Sequence, residues 1–200
     1  MGRVFQHAEQ YLDRLGAGQF VEIGTSRNGD DGSTKTLSKW AVDLGRHLTT
    51  VDMDPVNCQL VETWNLPNTT VVNSTGEEFL KQFPKHTDYI SLLYLDNFDW
   101  DWHPDSTEGF VIEQQKRYLE LGFNMTNLNS QCAHLAQMIL ALPAMAPTSV
   151  VVCDDTWYNK WWGHYSGKSG AAIPLLLNAG YRVAHTEEHP VYGTILVRGM

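Results

Sequence analysis

Apolar residues change their spacing several times along this chain, and each change marks an element. Val4, Phe5, Ala8, Tyr11, Leu12 and Leu15 recur at three- and four-residue intervals, predicting an amphipathic helix over 4–15 that Gly16 and Gly18 stop. Residues 19–23 (QFVEI) read as a short buried strand running into a Gly-rich turn. Helical spacing returns with Leu37, Trp40, Ala41 and Leu44, from about Thr34 to Gly45. The pattern then predicts a strand over 47–53, a helix over 55–64, a strand over 69–72 and a helix over 77–83. Residues 89–95 (YISLLYL) and 149–153 (SVVVC) are nearly unbroken apolar runs, as strands covered on both faces require. A helix over 171–179 and strands over 181–184 and 194–197 close the chain.

Strands alternating with helices predict an α/β fold, a Rossmann-like, doubly wound and mostly parallel seven-stranded sheet. A single domain over 1–200 is expected, since this length holds one substantial core and is tight for two. The stretch after the fourth strand, about 97–147, is too long for an ordinary connection. It carries helical patterns over 109–121 and 128–142 and is expected to be a helical insertion or cap over the site.

Composition narrows the function classes. Hydrophobic residues at 42% and charged residues at 18% describe a globular chain, and a net charge of -9 argues against bulk nucleic-acid binding or a membrane-surface role. Cys58, Cys132 and Cys153 include no CxxC pair, which suits a reducing compartment. No run is apolar enough for a bilayer span or a signal peptide, so a soluble cytoplasmic protein is expected; a homo-oligomer stays open.

In open α/β sheets ligands bind beyond the carboxyl ends of the strands. Here those ends carry Glu22 with Gly24-Thr25-Ser26, then Asp52-Met53-Asp54, Asp96-Asn97 and Asp154-Asp155. Carboxylates crowded at one rim repel unless a cation or protons intervene, so Asp96, Asp154 and Asp155 point to a hard divalent ion. Taken singly, each of these Asp residues suits a helix cap or a turn. The loop from Gly24 to Thr34 lacks the Lys of a P-loop, and Ser26 stands where a GxGxxG pattern needs glycine. Asp52 is placed to accept hydrogen bonds from ribose hydroxyls.

The segments FVEIGTS (20–26), TTVDMDP (49–55), VVNSTGEEFL (71–80), LLYLDNFD (92–99) and VVVCDDTW (150–157) together resemble the class I S-adenosylmethionine-dependent methyltransferases. Within that class they are similar to the metal-dependent catechol O-methyltransferase-like group. The resemblance covers most of the chain outside about 100–147. It implies transfer of a methyl group from S-adenosyl-L-methionine to a hydroxyl of a small-molecule acceptor. It also implies that Glu22, Gly24, Thr25 and Ser26 line the methionine portion, Asp52 the ribose, and Thr75 and Gly76 the adenine. Asp96, beside the donor, would bind Mg2+ with Asp154 and Asp155. The turn after Gly24 is longer than the family's, with Asp30-Asp31-Gly32 inserted. Where the catechol enzymes have a catalytic Lys, three residues past the first metal Asp, this chain has Asp99. A base is then sought among His103, His164 and His134, with His103 nearest to Asp96 in sequence. Aromatic residues crowd 99–103 and 157–165 and suit a flat or glycosidic acceptor, or simple packing. Two rivals are a metal-dependent nucleotide-sugar glycosyltransferase, using Asp52-Met53-Asp54 as a DxD motif, and a non-catalytic binding protein on the same fold.

Overall fold

The computed structural model describes residues 3–27, 32–84, 89–102, 109–187 and 192–200. Its main sheet has seven strands: β1 (Gln19–Ile23), β2 (Leu48–Asp52), β3 (Thr69–Asn73), β4 (Ile90–Leu95), β5 (Met145–Asp154), β8 (Arg182–Glu187) and β9 (Gly193–Arg198). A separate hairpin, β6 (Thr156–Asn159) with β7 (His164–Gly167), lies between β5 and β8 in the chain. The spatial order is β3-β2-β1-β4-β5-β9-β8, and β9 alone runs against its neighbours. This is the Rossmann-like, mostly parallel sheet that the alternating pattern predicts. Strand order reverses between β1 and β4, which opens a crevice beyond their carboxyl ends.

Period-two alternation splits the core in two. Leu92 and Tyr94 of β4 join Phe20, Leu48, Val150 and Val152 beneath α1 (Arg3–Glu9) and α2 (Ser33–Asp43). Leu93 and Leu95 face the other way, with Ile23, Val51, Val151 and Cys153. That second face is covered by α4 (Gly76–Gln82), α6 (Asn127–Ala141) and α7 (Ile173–Asn178) through Leu80, Met138, Ile173 and Leu176. A strand buried on both faces must be apolar throughout, which is why β4 has the unbroken run ISLLYL.

The segment 97–147 divides in two. α6 is an ordinary layer of the fold, closing the core with Met138 and Ala141. The cap is α5 (Gly109–Glu120), where Tyr118 packs with Phe98, Met125 and Ala133 in a small third cluster. Other differences are local. The first helix ends at Glu9 and a 3-10 turn over Leu12–Arg14 follows, keeping the same residues buried in a tighter path. α3 spans Pro55–Thr63, with Pro55 in its first turn and Asp54 as its N-cap accepting from the Val56 amide. Among the described residues no helix is long and apolar enough to cross a membrane.

Candidate functional site

The crevice is built by close backbone approach at the strand order reversal. Gly24 follows β1 with φ at +98°, and a Cβ there would stand 2.5 Å from the Asn97 amide nitrogen and 2.7 Å from the Asp96 carbonyl oxygen. Glycine is required on both counts, conformation and space. The Asp96 amide donates to Ile23 O and the Gly24 amide to Val51 O, so the ends of β1, β2 and β4 are locked side by side. A second tight approach is at Gly76, whose Cβ would meet Ile23 Cγ2 and Gln137 Nε2.

Two adjoining cavities share Asp52, Met53, Asn97 and Phe98. The larger, about 210 Å3, is also walled by Arg27 and by Gln114, Arg117 and Tyr118 of the α5 cap. The smaller is a slot of about 30 Å3 that reaches Thr75, Gly76 and Phe123. Asn97 lines both, and its Oδ1 is buried without a hydrogen-bond partner. An acceptor left in that state costs roughly 1–3 kcal/mol, which a ligand donor would offset. Asp52 Oδ2 accepts from the Thr25 amide at 3.1 Å and Oδ1 from the Asp54 amide at 2.7 Å, which fixes its carboxylate at the cavity wall. Burial, against these hydrogen bonds, pushes its pKa above the ordinary range.

The residues expected around the methionine portion stand at the end of β1 and in the loop after it. Glu22 is fully buried beneath the loop. Ser33 Oγ donates to Oε1 at 2.5 Å, and Thr34 and Thr50 hydroxyls each donate to Oε2 at 2.6 Å. Thr25 and Ser26 are buried against the start of α2, the Ser26 amide donating to Thr34 Oγ1 and the Thr34 amide to Ser26 Oγ. Glu22, Gly24, Thr25 and Ser26 therefore shape the wall from behind, while Arg27 lines it. Thr75 caps α4, accepting from the Glu78 amide, and still borders the slot with Gly76.

Asp96, Asp154 and Asp155 do converge, each offering an oxygen within 4.8 Å of the others. The cation among them is an ammonium. Lys168 Nζ lies 2.8 Å from Asp96 Oδ1 and 3.0 Å from Asp155 Oδ2, on a side chain only 3% exposed. Burial works against its charge, yet Asp96, Asp155, Asp154 and Asp99 outweigh that and hold its pKa well above the lysine norm. Asp154 is shifted upward by burial and by Asp96. Oxygen donors of this kind suit a hard divalent ion, and as arranged two of the three carboxylates already have the Lys168 ammonium as their partner. An ion about 2.1 Å from Asp96 Oδ1 would lie within about 5 Å of the ammonium on the same oxygen.

Lys168 is delivered by the β6–β7 hairpin, which the sequence pattern does not predict. Asp155 takes φ of +44° at its base, and Gly167 closes it at φ of +88° where any Cβ would collide with Asp155 O. The Lys168 amide donates to Asp155 O and the Ser169 amide to Thr156 Oγ1. The signal available in sequence was slight. Lys168 is the one Asp, Glu, Lys or Arg between Lys160 and Arg182, in a Gly-Lys-Ser-Gly run.

The expected bases fare differently. His103 lies outside the described residues. His164 stands exposed on β7, its ring contacts running to Trp162. His134 is buried with both nitrogens engaged. Nε2–H donates to Asn97 O, so Nδ1 accepts from the Ser169 hydroxyl, both at 2.7 Å. Burial brings its pKa down to about 4, and this neutral imidazole holds the Asn97 loop in place of taking up a substrate proton.

Asp99 accepts from Arg27 Nη2 at 2.7 Å and from Gln114 Nε2. Asp54 is buried and bound by Arg117 through Nε at 2.7 Å and Nη2 at 2.5 Å. That pairing depresses the Asp54 pKa, ties α5 over the cavity, and leaves no free DxD pair for a sugar-nucleotide ion. Arg117→Ala should release the cap: amide exchange over α5 should quicken several-fold, with β4 unchanged.

Of the aromatic residues, Trp102 stacks with Trp157 and Tyr192, which are tilted against each other, and Trp100 meets Trp102 and Trp157 edge-on. Trp161 and Trp162 project from the hairpin tip, 95% and 76% exposed. Elsewhere His7, His185 and Glu187 also bring ligand atoms within 4.8 Å. Those two imidazoles stack 3.7 Å apart with planes only 19° from parallel. No ion can then lie in both ring planes, as nitrogen ligation asks.

The sequence matches no family model and no curated protein. Solved structures share the fold. A Streptococcus mutans protein assigned as a methyltransferase, in complex with SAH, superposes with a TM-score of 0.58 at 9% identity, over 98% of each chain. The N-methyltransferase NodS from Bradyrhizobium japonicum WM9, in complex with S-adenosyl-L-homocysteine, gives 0.54 at 11% identity, over 99% of this chain and 86% of NodS. A methyltransferase from Burkholderia thailandensis, with bound 1,6-didemethyltoxoflavin and S-adenosylhomocysteine, gives 0.50 at 12%, over 98% of this chain and 77% of that one. What is shared at these identities is the fold, a Rossmann-like sheet of methyltransferase type.

Proposed function

We propose that this chain binds S-adenosylmethionine across the two adjoining cavities and transfers its methyl group to an oxygen of a small hydroxylated molecule. The observation that carries the reading is the site at the reversal of strand order. Asp52 is fixed there between a slot bordered by Thr75 and Gly76 and a larger cavity, with Asn97 Oδ1 unpartnered beside both. A ribose asks for a carboxylate acceptor at Asp52, and the rings of Phe98 and Phe123 at the slot offer apolar faces to a base. The structural neighbours solved with S-adenosylhomocysteine support the same donor.

The sulfonium donor supplies an activated methyl group. In the transfer a bond forms from the acceptor oxygen to the methyl carbon as the carbon–sulfur bond breaks. S-adenosylhomocysteine is left, and the hydroxyl proton passes to a base or to water. The chain's part is to orient and to set charge. Asp52 and Asn97 hold the donor, α5 excludes water from above, and the Asp96–Lys168–Asp155 array offers charged partners to an acceptor hydroxyl. Oxygen as the methylated atom rests on that array.

Calorimetry with S-adenosylhomocysteine tests the donor. Binding is expected in the wild type, and Asp52→Asn should weaken it on the order of tenfold by removing charge and an acceptor. A folded wild type that takes up no S-adenosylhomocysteine ends this reading. Binding without turnover across phenols, sugars and hydroxylated metabolites would favour the non-catalytic alternative.

A further inference from the structure

We infer that the ammonium of Lys168 is the resident cation of the acidic rim, standing where the metal-dependent enzymes that this sequence resembles hold a divalent ion. The geometry is specific. Nζ bridges Asp96 and Asp155, from strand ends about sixty residues apart in the chain, at 2.8 and 3.0 Å. The side chain has almost no solvent contact, so the ammonium is not a surface partner that drifts on and off. Its backbone is pinned as firmly. Lys168 N–H is held on Asp155 O, the next amide on Thr156 Oγ1, and Gly167 permits an approach no other residue could make.

An ammonium and a divalent ion differ in what they allow. Each neutralises carboxylates and orients them, but the ammonium is tethered, directional and limited to three donors. With Nζ seated, a second cation on the same oxygens meets a like charge at close range. The rim is therefore closed to a metal until the lysine is removed. For turnover, which rests on the methyl-transfer reading above, Lys168 is a positioning residue: it fixes Asp96 and Asp155 around the acceptor, and chelators should leave the rate unchanged.

The test uses Mn2+ alone as the probe, followed by electron paramagnetic resonance and calorimetry on the full chain. Wild type and Lys168→Arg should show no Mn2+ binding that Asp154→Asn abolishes. Lys168→Ala should create a single Mn2+ site, at least about tenfold tighter than anything in the wild type. The double variant Lys168→Ala/Asp154→Asn should lose it. Circular dichroism and urea unfolding establish that each variant is folded. If Lys168→Ala does not fold, the wild-type titration decides: silence supports the inference, and a stoichiometric Mn2+ site lost in Asp154→Asn overturns it. A folded Lys168→Ala that binds no Mn2+ overturns it too. Failure of the donor reading would show separately, as absent S-adenosylhomocysteine binding with the Mn2+ results intact.

Discussion

Gly24→Ala should cost this protein about 3 kcal/mol of stability or more and remove ligand binding with it. Two penalties add at that position. Alanine at φ of +98° is strained in any setting, and its Cβ would press on backbone atoms of Asp96 and Asn97 at 2.5 to 2.7 Å. Those atoms belong to the locked end of β4 and cannot turn aside as a flexible side chain would. Relief requires β1 and β4 to part, which widens the crevice under Asn97. Gly45→Ala is the comparison, since Gly45 has φ of +63° with nothing within 4 Å of a Cβ. It should lose only about 1 kcal/mol, the conformational cost alone. Urea unfolding of both variants checks the claim, and equal losses would show that the two strand ends do not approach so closely.

Glu22 should make the protein less stable as pH rises from about 4.5 to about 7. Its carboxyl is pushed up from 4.5 to about 7, chiefly by burial, with hydrogen bonds from Ser33, Thr34 and Thr50 opposing and Asp96 adding to the rise. Between those values the folded chain keeps a proton that the unfolded chain has released, so deprotonation favours unfolding across that window. Below it both states are protonated and nothing is lost. Above it both are ionised and the full penalty applies, roughly 3 kcal/mol. Glu22→Gln keeps the shape and a carbonyl acceptor while removing the titration. The stability of wild type relative to this variant should therefore fall by about that amount from pH 4.5 to 7. Parallel pH profiles would mean that Glu22 titrates as it does in water.

Why such a carboxylate is retained follows from what it holds. Ser33 and Thr34 open α2, Thr50 lies on β2, and Glu22 lies on β1, so one buried group ties three elements behind the cavity. Its place after an apolar pair in QFVEI marks it in the sequence as unusual. That marking does not distinguish a ligand contact from a buried brace. Only the hydroxyls converging on it make the distinction, and two of them come from the first turn of α2, at the end of a loop whose path local spacing does not specify.

Much else was legible from local pattern because it depends on local physics. Alternating strand and helix periods force a doubly wound sheet, and parallel strands place their carboxyl ends on one rim. Asp52, Asp96, Asp154 and Asp155 therefore share one rim before any side chain is positioned, and the last three converge. The hairpin over 156–167 was hidden by its composition, as a run of Trp and Tyr serves equally for a strand, a wall or a loop. His134 illustrates the opposite failure: its residue type suggests a base, while full burial and two short hydrogen bonds make it a neutral brace.

The sequence by itself determined the sheet, its rim and the gathering of acids there, because strand period and chain direction are properties of consecutive residues. Tertiary structure decided what meets those acids. Lys168 reaches Asp96 across 72 residues, and Arg27 reaches Asp99 across the same separation, while Arg117 reaches Asp54 across 63. Contacts of that span leave no periodic trace, and their charges find each other only once the backbone has been folded by forces that do not depend on them.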